Sequence, residues 1–271
     1  MKMKLLTVVL FSFFCLPLFG QDGVKPDPSK DPKLNALLWM QNAAEFRLLT
    51  RQAYRYAGAQ LQKGLQDKNW CADEVQSKEA GFQGKKPAVI LDVDETVLDN
   101  SPFNARNIIQ GTAFNLENWN AWAHEEKARP VAGALEFITM AKKQGVEIFY
   151  VTNRRDGMRV ATINNLKALG FPVTQAHLLT RNDKAGRGGD KVSRRAMVAV
   201  KHRIVLLIGD NMADVCSKMD NTDSNERNRI AMDSGQMLES RWIILPNPVY
   251  GGWERALKKA SGSGLDQAKD D

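Results

Sequence analysis

One segment restricts the fold of this chain more than any other: PAVILDVDET, residues 87–96, in which an apolar run leads directly into two aspartates. Four consecutive apolar residues, Ala88–Leu91, suit a strand whose two faces are both buried, as in the middle of a parallel sheet. Asp92 and Asp94 follow, and in extended backbone residues i and i+2 point to the same side. The segment therefore predicts a central strand with two neighbouring carboxylates at its carboxyl end.

Apolar segments of strand length alternate with helical segments along most of the chain. Strands are predicted at 87–94, 146–154, 177–182, 203–211 and 241–247. Helices are predicted at 33–66, 131–145, 156–170 and 190–202. Such alternation is typical of βαβ units, so we expect an α/β, Rossmann-like fold with a mainly parallel β-sheet flanked by helices. An insert at 100–129 is expected to add a small α-helical cap.

The two ends of the chain differ in composition from its middle. Residues 1–20 join two lysines to a long apolar run, which is typical of an export signal peptide. The predicted divisions are a signal peptide at 1–20, a flexible linker at 21–32, one domain at 33–260 that begins with a helical segment at 33–85, and a disordered tail at 261–271. The expected location is the periplasm or outer membrane of a bacterium.

The three cysteines leave two questions open. Cys15 lies in the leader and could carry a lipid, but Phe14 stands where a lipoprotein signal has a small residue, so a cleaved, soluble, exported protein is favoured. Cys71 and Cys216 could form a disulfide in an oxidising compartment, although two separate buried thiols are the favoured alternative.

The basic character of the chain, with a formal net charge of +7, does not by itself identify a partner. Its lysines and arginines are scattered among acidic residues, and no basic run alternates with aromatic residues as in nucleic-acid-binding motifs. We therefore expect no nucleic-acid polymer as a partner, whereas small anions are compatible with this charge.

Polar side chains also follow the other predicted strands. Thr152 and Asn153 end the second strand. Asp210 ends the fourth strand, and Asp214 follows four residues later. Lys191 begins the helix that precedes the fourth strand. Together with the two aspartates of the first strand, these residues would place four carboxylates at one edge of the sheet, which requires a compensating cation. Oxygen ligands favour Mg²⁺, which also leaves positions for water and a substrate phosphate.

Five segments, in this order, resemble the motifs of the class C acid phosphatases of the haloacid dehalogenase (HAD) superfamily, exported bacterial enzymes that include 5′-nucleotidases. The segments are DVDETVLDNSPF, FYVTNR, KVSRR, IGDNMADV and LPNPVYGGWE, within residues 88–254. The resemblance implies the HAD fold and Mg²⁺-dependent hydrolysis of phosphate monoesters, including nucleoside 5′-monophosphates. Met212 and Val215 depart from the apolar residues usual in the fourth motif but leave its acidic residues in place.

The resemblance also implies a role for each acidic residue of these motifs. Asp92 would be the nucleophile that forms an aspartyl-phosphate, and Asp94 would be the general acid and then the general base. Mg²⁺ would be held by the carboxylates of Asp92 and Asp210 and by the backbone carbonyl of Asp94. Asp214 would order the water molecules around the metal.

The substrate would be held by a second group of residues that the resemblance implies. Thr152 and Asn153 would bind phosphate oxygens, and Lys191 would neutralise them. Other basic residues compete for the role of Lys191: Lys184, Arg187, Arg194 and Arg195. Three aromatic residues would stack on a nucleobase unless they are ordinary core residues: Phe103, Trp119 and Tyr250.

Two alternatives to a phosphatase remain open at this point. A phosphotransferase on the same fold would pass the phosphoryl group to an alcohol instead of water. An exported protein could also bind nucleotides or lipids without turnover, although a pure binding protein has no need of paired aspartates. Small-molecule phosphomonoesters are the expected partners, and membrane anchoring and a homodimer stay open.

Overall fold

The computed structural model of the protein describes residues 27–186, 188–219 and 222–261. The expected leader at 1–20, most of the linker at 21–32 and nearly all of the tail at 261–271 lie outside these residues, as does Arg187. Asp27 caps a single 3-10 turn, Pro28–Lys30, at the end of the expected linker. None of the described helices combines the length and the apolar character that crossing a membrane requires.

Seven strands in the described part of the chain form one large and one small sheet. The strands are β1 Lys86–Leu91, β2 Leu98–Asp99, β3 Arg129–Pro130, β4 Glu147–Arg155, β5 Leu178–Arg181, β6 His202–Gly209 and β7 Trp242–Ile244. Five of them pair in parallel in the order β5-β4-β1-β6-β7. This sheet confirms the predicted α/β class, and every strand predicted from the sequence is present.

Eleven α-helices are found in the described residues. They are α1 Leu34–Asn42, α2 Ala44–Gln66, α3 Ser101–Gln110, α4 Leu116–Glu125, α5 Ala134–Lys143, α6 Arg159–Ala168, α7 Val192–Ala199, α8 Met212–Val215, α9 Ser224–Asp233, α10 Gly235–Leu238 and α11 Gly252–Ser261. Residues of α2, α5 and α6 belong to the core on one face of the sheet, and residues of α7, α8 and α9 belong to the core on the other.

The central strand β1 is buried on both sides because its apolar residues alternate between the two faces. Val89 and Leu91 belong to the core cluster on one face, and Ala88 and Ile90 belong to the cluster on the other. A fully buried valine, isoleucine or leucine side chain contributes about 2 kcal/mol to folding. The four apolar residues before Asp92 therefore hold the chain between two layers of helices and deliver the aspartate to the carboxyl edge of the sheet.

The helix predicted at 33–66 is interrupted. Ala43 has extended backbone, with a ψ of 134°, and separates α1 from α2. The turn places Trp39 edge-on to Phe46 at 5.5 Å between ring centroids, and it buries Leu37 and Met40 of α1 in a third core cluster. Burial of these side chains outweighs the local preference for a continuous helix.

The insert at 100–129 has the expected helical character, and it is enclosed by an element that the sequence did not predict. Strands β2 and β3 pair antiparallel, with Leu98 opposite Pro130 and Asp99 opposite Arg129. This pairing fixes both ends of the segment that carries α3 and α4. Strands of two residues have too short a pattern to be recognised in a sequence.

The two cysteines of the described chain are separate. Cys71 and Cys216 are both buried and both free. This is the alternative that the sequence favoured. Burial raises the pKa of the Cys71 thiol to about 11.

Candidate active site

The order of the strands brings the predicted site residues to one place. Strands β4, β1 and β6 are neighbours in the sheet and run in parallel, so their carboxyl ends lie side by side. Thr152 lies near the end of β4, Asp92 follows β1, and Asp210 follows β6. The backbone N–H of Asp92 donates to Ile208 O at 2.9 Å, so this residue still pairs with β6.

Three of the predicted acidic residues form a cluster. Asp92, Asp210 and Asp214 each offer a carboxylate oxygen, and these oxygens all lie within 4.8 Å of one another. Asp94 directs its carboxylate to other partners, Arg154, Asn100 and Thr152. The two aspartates of the first motif therefore have different surroundings, as different chemical roles would require.

Lys191 neutralises part of this cluster. Its Nζ lies 2.7 Å from Asp214 Oδ1 and donates to Asp92 Oδ1, and its side chain is almost fully buried at the start of α7. Burial disfavours the ammonium, but Asp214 and Asp92 outweigh that effect and raise the pKa of Lys191. Lys191 is therefore a fixed positive charge in direct contact with the predicted nucleophile.

Two of the four competing basic residues, Arg194 and Arg195, have other partners. Arg194 donates to the carbonyl of Thr152 and, at 2.7 Å, to Asn153 Oδ1. Arg195 forms a buried ion pair with Asp73 at 3.2 Å. Lys184 is exposed, and Arg187 lies outside the described residues.

Asp214 is positioned by the start of α8 and by a glycine. It forms a capping box with Asn211, whose backbone N–H donates to Asp214 Oδ2 at 3.0 Å. The side chain of Asp214 folds back over Gly209 at the end of β6, where a Cβ would lie only 2.7 Å from Asp214 Cγ. Glycine is required at 209 because any side chain would displace this carboxylate. Asp214 therefore both caps helix α8 and belongs to the acidic cluster.

Asp210 is held by two residues that the sequence did not single out. Thr96 Oγ1 donates to Asp210 Oδ1 at 3.2 Å, and Asn247 Nδ2 donates to Asp210 Oδ2 at 2.8 Å. The hydroxyl of Tyr54 in α2 donates to Thr96 O at 2.7 Å. Asn247 follows β7 in the LPNPVYGGWE segment, so its position in a motif was the available signal.

The electrostatics of the cluster reflect crowded negative charge. Burial raises the pKa of Asp92 well above its usual range, although Lys191 opposes the shift. Burial and the neighbouring Asp214 raise the pKa of Asp210 to about 7. With all four site aspartates ionised, Lys191 and Arg154 leave two negative charges without a partner cation. An all-oxygen donor set with this charge fits a divalent metal ion.

Asp94 is held in place by a network of buried donors. Arg154 Nε and Asn100 Nδ2 each donate to Asp94 Oδ1 at 2.9 Å. Thr152 Oγ1 donates to Asp94 Oδ2 at 3.2 Å and accepts from the backbone N–H of Arg154 at 3.1 Å. Sequence analysis did not identify Asn100 or Arg154 as site residues, although both lie in the quoted motifs.

The aromatic candidates differ in how open they are. The Phe103 ring is 4% exposed, and its centroid lies 5.0 Å from that of Trp119 in an edge-on arrangement. Trp119 is partly buried. The exposed ring beside them is Phe114, which is 65% exposed with its centroid 6.2 Å from both. Tyr250 is partly buried against the third core cluster, which includes Phe46.

Comparisons with known proteins match this chain to acid phosphatases. A family model described as HAD superfamily, subfamily IIIB (Acid phosphatase) matches residues 24–253. The structure of the class C acid phosphatase from Bacillus anthracis is 33% identical, with a TM-score of 0.72, and the match covers 88% of this chain and 93% of that chain. A structure of that enzyme with tungstate bound gives a TM-score of 0.73 at the same identity and coverage.

A curated relative is more distant. Acid phosphatase 1 of Solanum lycopersicum is 27% identical over 164 residues, which are 59% of this chain and 57% of the relative. The match therefore spans less than two thirds of the length of the curated relatives found.

Proposed function

The chain belongs to subfamily IIIB of the HAD superfamily, a family of acid phosphatases, and from that premise we propose that it hydrolyses small-molecule phosphate monoesters in a Mg²⁺-dependent reaction. The family membership confirms the resemblance drawn from the five motifs and the fold that it implied. The observation that carries the proposal is the contact of a buried lysine with an aspartate at the end of the central strand, beside two further carboxylates.

Asp92 is the proposed nucleophile. Its carboxylate forms a bond to phosphorus as the bond between phosphorus and the leaving oxygen breaks, which gives an aspartyl-phosphate. Lys191 lies against the same carboxylate and stabilises the negative charge that spreads over the phosphoryl oxygens. Mg²⁺, held by Asp92, Asp210 and the Asp94 carbonyl with Asp214 nearby, would neutralise the like charges that otherwise keep a carboxylate and a phosphate apart.

Asp94 is the proposed acid and base. It gives its proton to the leaving oxygen in the first step, and in the second step the resulting carboxylate takes a proton from the attacking water. That water displaces Asp92 from phosphorus and releases inorganic phosphate. Thr152 and Asn153, near the end of β4, are the proposed phosphate ligands. Asn153 is exposed, and the Thr152 hydroxyl would have to turn its proton from Asp94 Oδ2 toward a phosphate oxygen.

Nucleoside 5′-monophosphates are the proposed substrates among the phosphate monoesters. A base could stack near the aromatic side chains of the cap, where Trp119 is partly buried and Phe114 is exposed, with Phe103 behind them. Tyr250 is the proposed contact from the last motif. The tungstate bound in the Bacillus anthracis structure is a tetrahedral oxyanion like phosphate, which supports an anion site in this fold.

Export is part of the proposal. Residues 1–20 have the composition of a signal peptide, and the proposed location is the periplasm or outer membrane of a bacterium.

The decisive substitution is Asp92→Asn, which keeps the size of the side chain and removes the nucleophilic carboxylate. We expect release of phosphate from 4-nitrophenyl phosphate to fall by at least about 1,000-fold, because no later step can proceed without the covalent intermediate. Asp183→Asn is the matched control, since Asp183 is an exposed carboxylate paired with Arg181. More than a tenth of the activity remaining in a folded Asp92→Asn variant would contradict the proposal.

A further inference from the structure

We propose that Arg154 is a positioning residue that fixes the orientation of Asp94, so that Asp94 Oδ2 is the oxygen presented to the leaving group. The inference rests on the proposed function, because it concerns the residue assigned there as general acid. Arg154 and Asn100 together form what we call the clamp, and helix α4 contacts both of them.

The first support is the placement of the Arg154 guanidinium. It is 1% exposed at the end of β4, and its Nε and Nη2 both lie 2.9 Å from Asp94 Oδ1. Its Nη1 donates to Thr162 Oγ1 of α6 at 3.2 Å. Two contacts to one oxygen and a third anchor on another element leave the arginine, and the carboxylate it holds, little rotational freedom.

Asn100 acts on the same oxygen. Its Nδ2 donates to Asp94 Oδ1 at 2.9 Å. Its Oδ1 accepts from Arg154 Nη2 at 3.1 Å and from Trp122 Nε1 at 2.9 Å. The opposite orientation of the amide would set its NH₂ group against two donors, so the network permits one arrangement of the side chain.

The two oxygens of Asp94 are consequently unequal. A carboxylate oxygen has two lone pairs, and Oδ1 faces three donor atoms from Arg154 and Asn100. Within the part of the chain that the structure describes, Oδ2 accepts one hydrogen bond, from Thr152 Oγ1. Oδ1 is saturated and turned toward the protein, which leaves Oδ2 to meet the ester oxygen.

Helix α4 links this clamp to the cap. Trp122, buried in α4, supplies the donor to Asn100. The ring of Trp119, one turn earlier in the same helix, has its centroid 5.3 Å from Arg154 Cζ, within range of a cation–π interaction. A displacement of α4 would therefore move Asn100 and Arg154, and through them it would change the orientation of the Asp94 carboxylate.

The clamp matters for one chemical event. As the bond from phosphorus to the leaving oxygen breaks, a proton passes from Asp94 Oδ2 to that oxygen, and the Asp94 carboxylate that remains is stabilised by Arg154 through Oδ1. Alkoxides are poor leaving groups and need this proton, whereas 4-nitrophenolate leaves readily without it. Loss of orientation should therefore harm the two kinds of ester unequally.

The test compares wild type with Arg154→Lys, which keeps the charge and loses the forked donor. kcat/KM is measured for 4-nitrophenyl phosphate, phenyl phosphate and a nucleoside 5′-monophosphate, because it reports the first phosphoryl transfer. We expect kcat/KM to fall roughly 100-fold for the nucleoside 5′-monophosphate, which is the alkyl ester, and less than about 5-fold for 4-nitrophenyl phosphate. Equal losses for all three esters, or no loss, would overturn the inference.

Two further variants serve as a control for Arg154→Lys and as a substitute for it. Arg203→Lys is the matched control, because Arg203 is also buried but donates to the backbone carbonyls of Gly64, Asp67 and Trp70, and it should change all three esters by the same factor. Trp122→Phe removes the donor to Asn100 and keeps a smaller aromatic ring in its place, so it is the variant to use if Arg154→Lys does not fold. It should also penalise the alkyl ester more, and an unchanged ratio would refute the inference.

The outcome is separable from the proposed function itself. A folded wild-type protein that releases phosphate from none of the three esters contradicts the phosphatase proposal. A wild type that hydrolyses all three, with the same ratios in Arg154→Lys, contradicts the clamp alone.

Discussion

At the scale of single residues, Lys191 is the one whose loss has the most direct consequence for the acidic cluster. Its ammonium lies between the carboxylates of Asp92 and Asp214, which are themselves largely buried. Removing one partner from a buried ion pair leaves an uncompensated charge, which is costlier than replacing both partners. The same ammonium stabilises the phosphoryl group in the proposed reaction, so stability and activity depend on one atom.

We therefore predict two effects of Lys191→Met, which keeps the length of the side chain. In metal-free buffer the free energy of unfolding should fall by about 3 kcal/mol, and kcat/KM for 4-nitrophenyl phosphate should fall about 100-fold. Urea denaturation and steady-state kinetics measure them. Lys142→Met, which breaks the more exposed pair with Glu147, should cost less than about 1 kcal/mol. Equal stability of the two variants would argue against a buried ammonium at 191.

At the scale of elements, helix α2 is more than a cover for the sheet. The Tyr54 hydroxyl donates to Thr96 O, and Thr96 in turn donates to Asp210. Burial raises the pKa of Tyr54 well above its usual value, so the phenol stays neutral and keeps its proton to donate. Through this chain of two hydrogen bonds the N-terminal helical segment positions a proposed metal ligand.

Tyr54→Phe removes only the hydroxyl. The variant should lose about 1 kcal/mol in the free energy of unfolding, and the Mg²⁺ concentration for half-maximal activity should rise about threefold to tenfold. Tyr56→Phe is the control on the same helix, because the Tyr56 hydroxyl donates to Glu239 O at an exposed position. An unchanged Mg²⁺ requirement in Tyr54→Phe would show that α2 does not support the site.

Asp156 joins the end of β4 to neighbouring elements and gives the fold a dependence on pH. Burial alone would raise the pKa of Asp156, but hydrogen bonds from three side chains outweigh it and hold that pKa well below its usual value. The donors are Thr180 in β5, Asn182 just after it, and Arg159 Nη2 at 2.8 Å at the start of α6. The ionised form therefore stabilises the contact between these elements.

Because the folded pKa lies below the unfolded value of about 3.9, this stabilisation is complete above that value and is lost as the pH falls toward the folded pKa. Asp156→Asn should lower the free energy of unfolding at pH 7, and the gap to wild type should shrink between pH 4 and pH 2. Urea denaturation across this range measures the gap. A gap that stays constant would mean that the charge of Asp156 contributes nothing.

At the scale of the whole molecule, the sheet could be predicted from the sequence because its signals are local. Each strand has its own apolar run, and the burial of Val89 and Leu91 on one face and Ile90 on the other follows from alternation alone. The break at Ala43 and the pairing of β2 with β3 could not be predicted, because both depend on contacts between distant parts of the chain. Helix α9 was missed because its apolar period is weak, and α10 because it has only four residues. Helix α11 was missed although Trp253, Ala256 and Leu257 have helical spacing in the sequence.

The candidate site divides in the same way. Asp92 and Asp210 could be placed together because adjacent parallel strands end at one edge of the sheet. Lys191 could be predicted as a site residue because it lies in the KVSRR motif. Arg154 and Thr96 were not predicted as site residues, because each acts by binding a site aspartate that is distant in the sequence and neither belongs to a recognisable spacing of residues. The first binds Asp94, 60 positions away, and the second binds Asp210, 114 positions away.

The central claim is that the phosphoryl group is transferred to Asp92, and a trapping experiment tests it most directly. The protein is mixed with Mg²⁺ and a phosphate monoester carrying radiolabelled phosphorus, quenched in acid within milliseconds, and digested for peptide mapping. We predict label on the peptide that contains Asp92, bound as an acyl phosphate that hydroxylamine removes, and no label when Mg²⁺ is chelated. Label on a different residue, or turnover with no labelled peptide, would contradict the account.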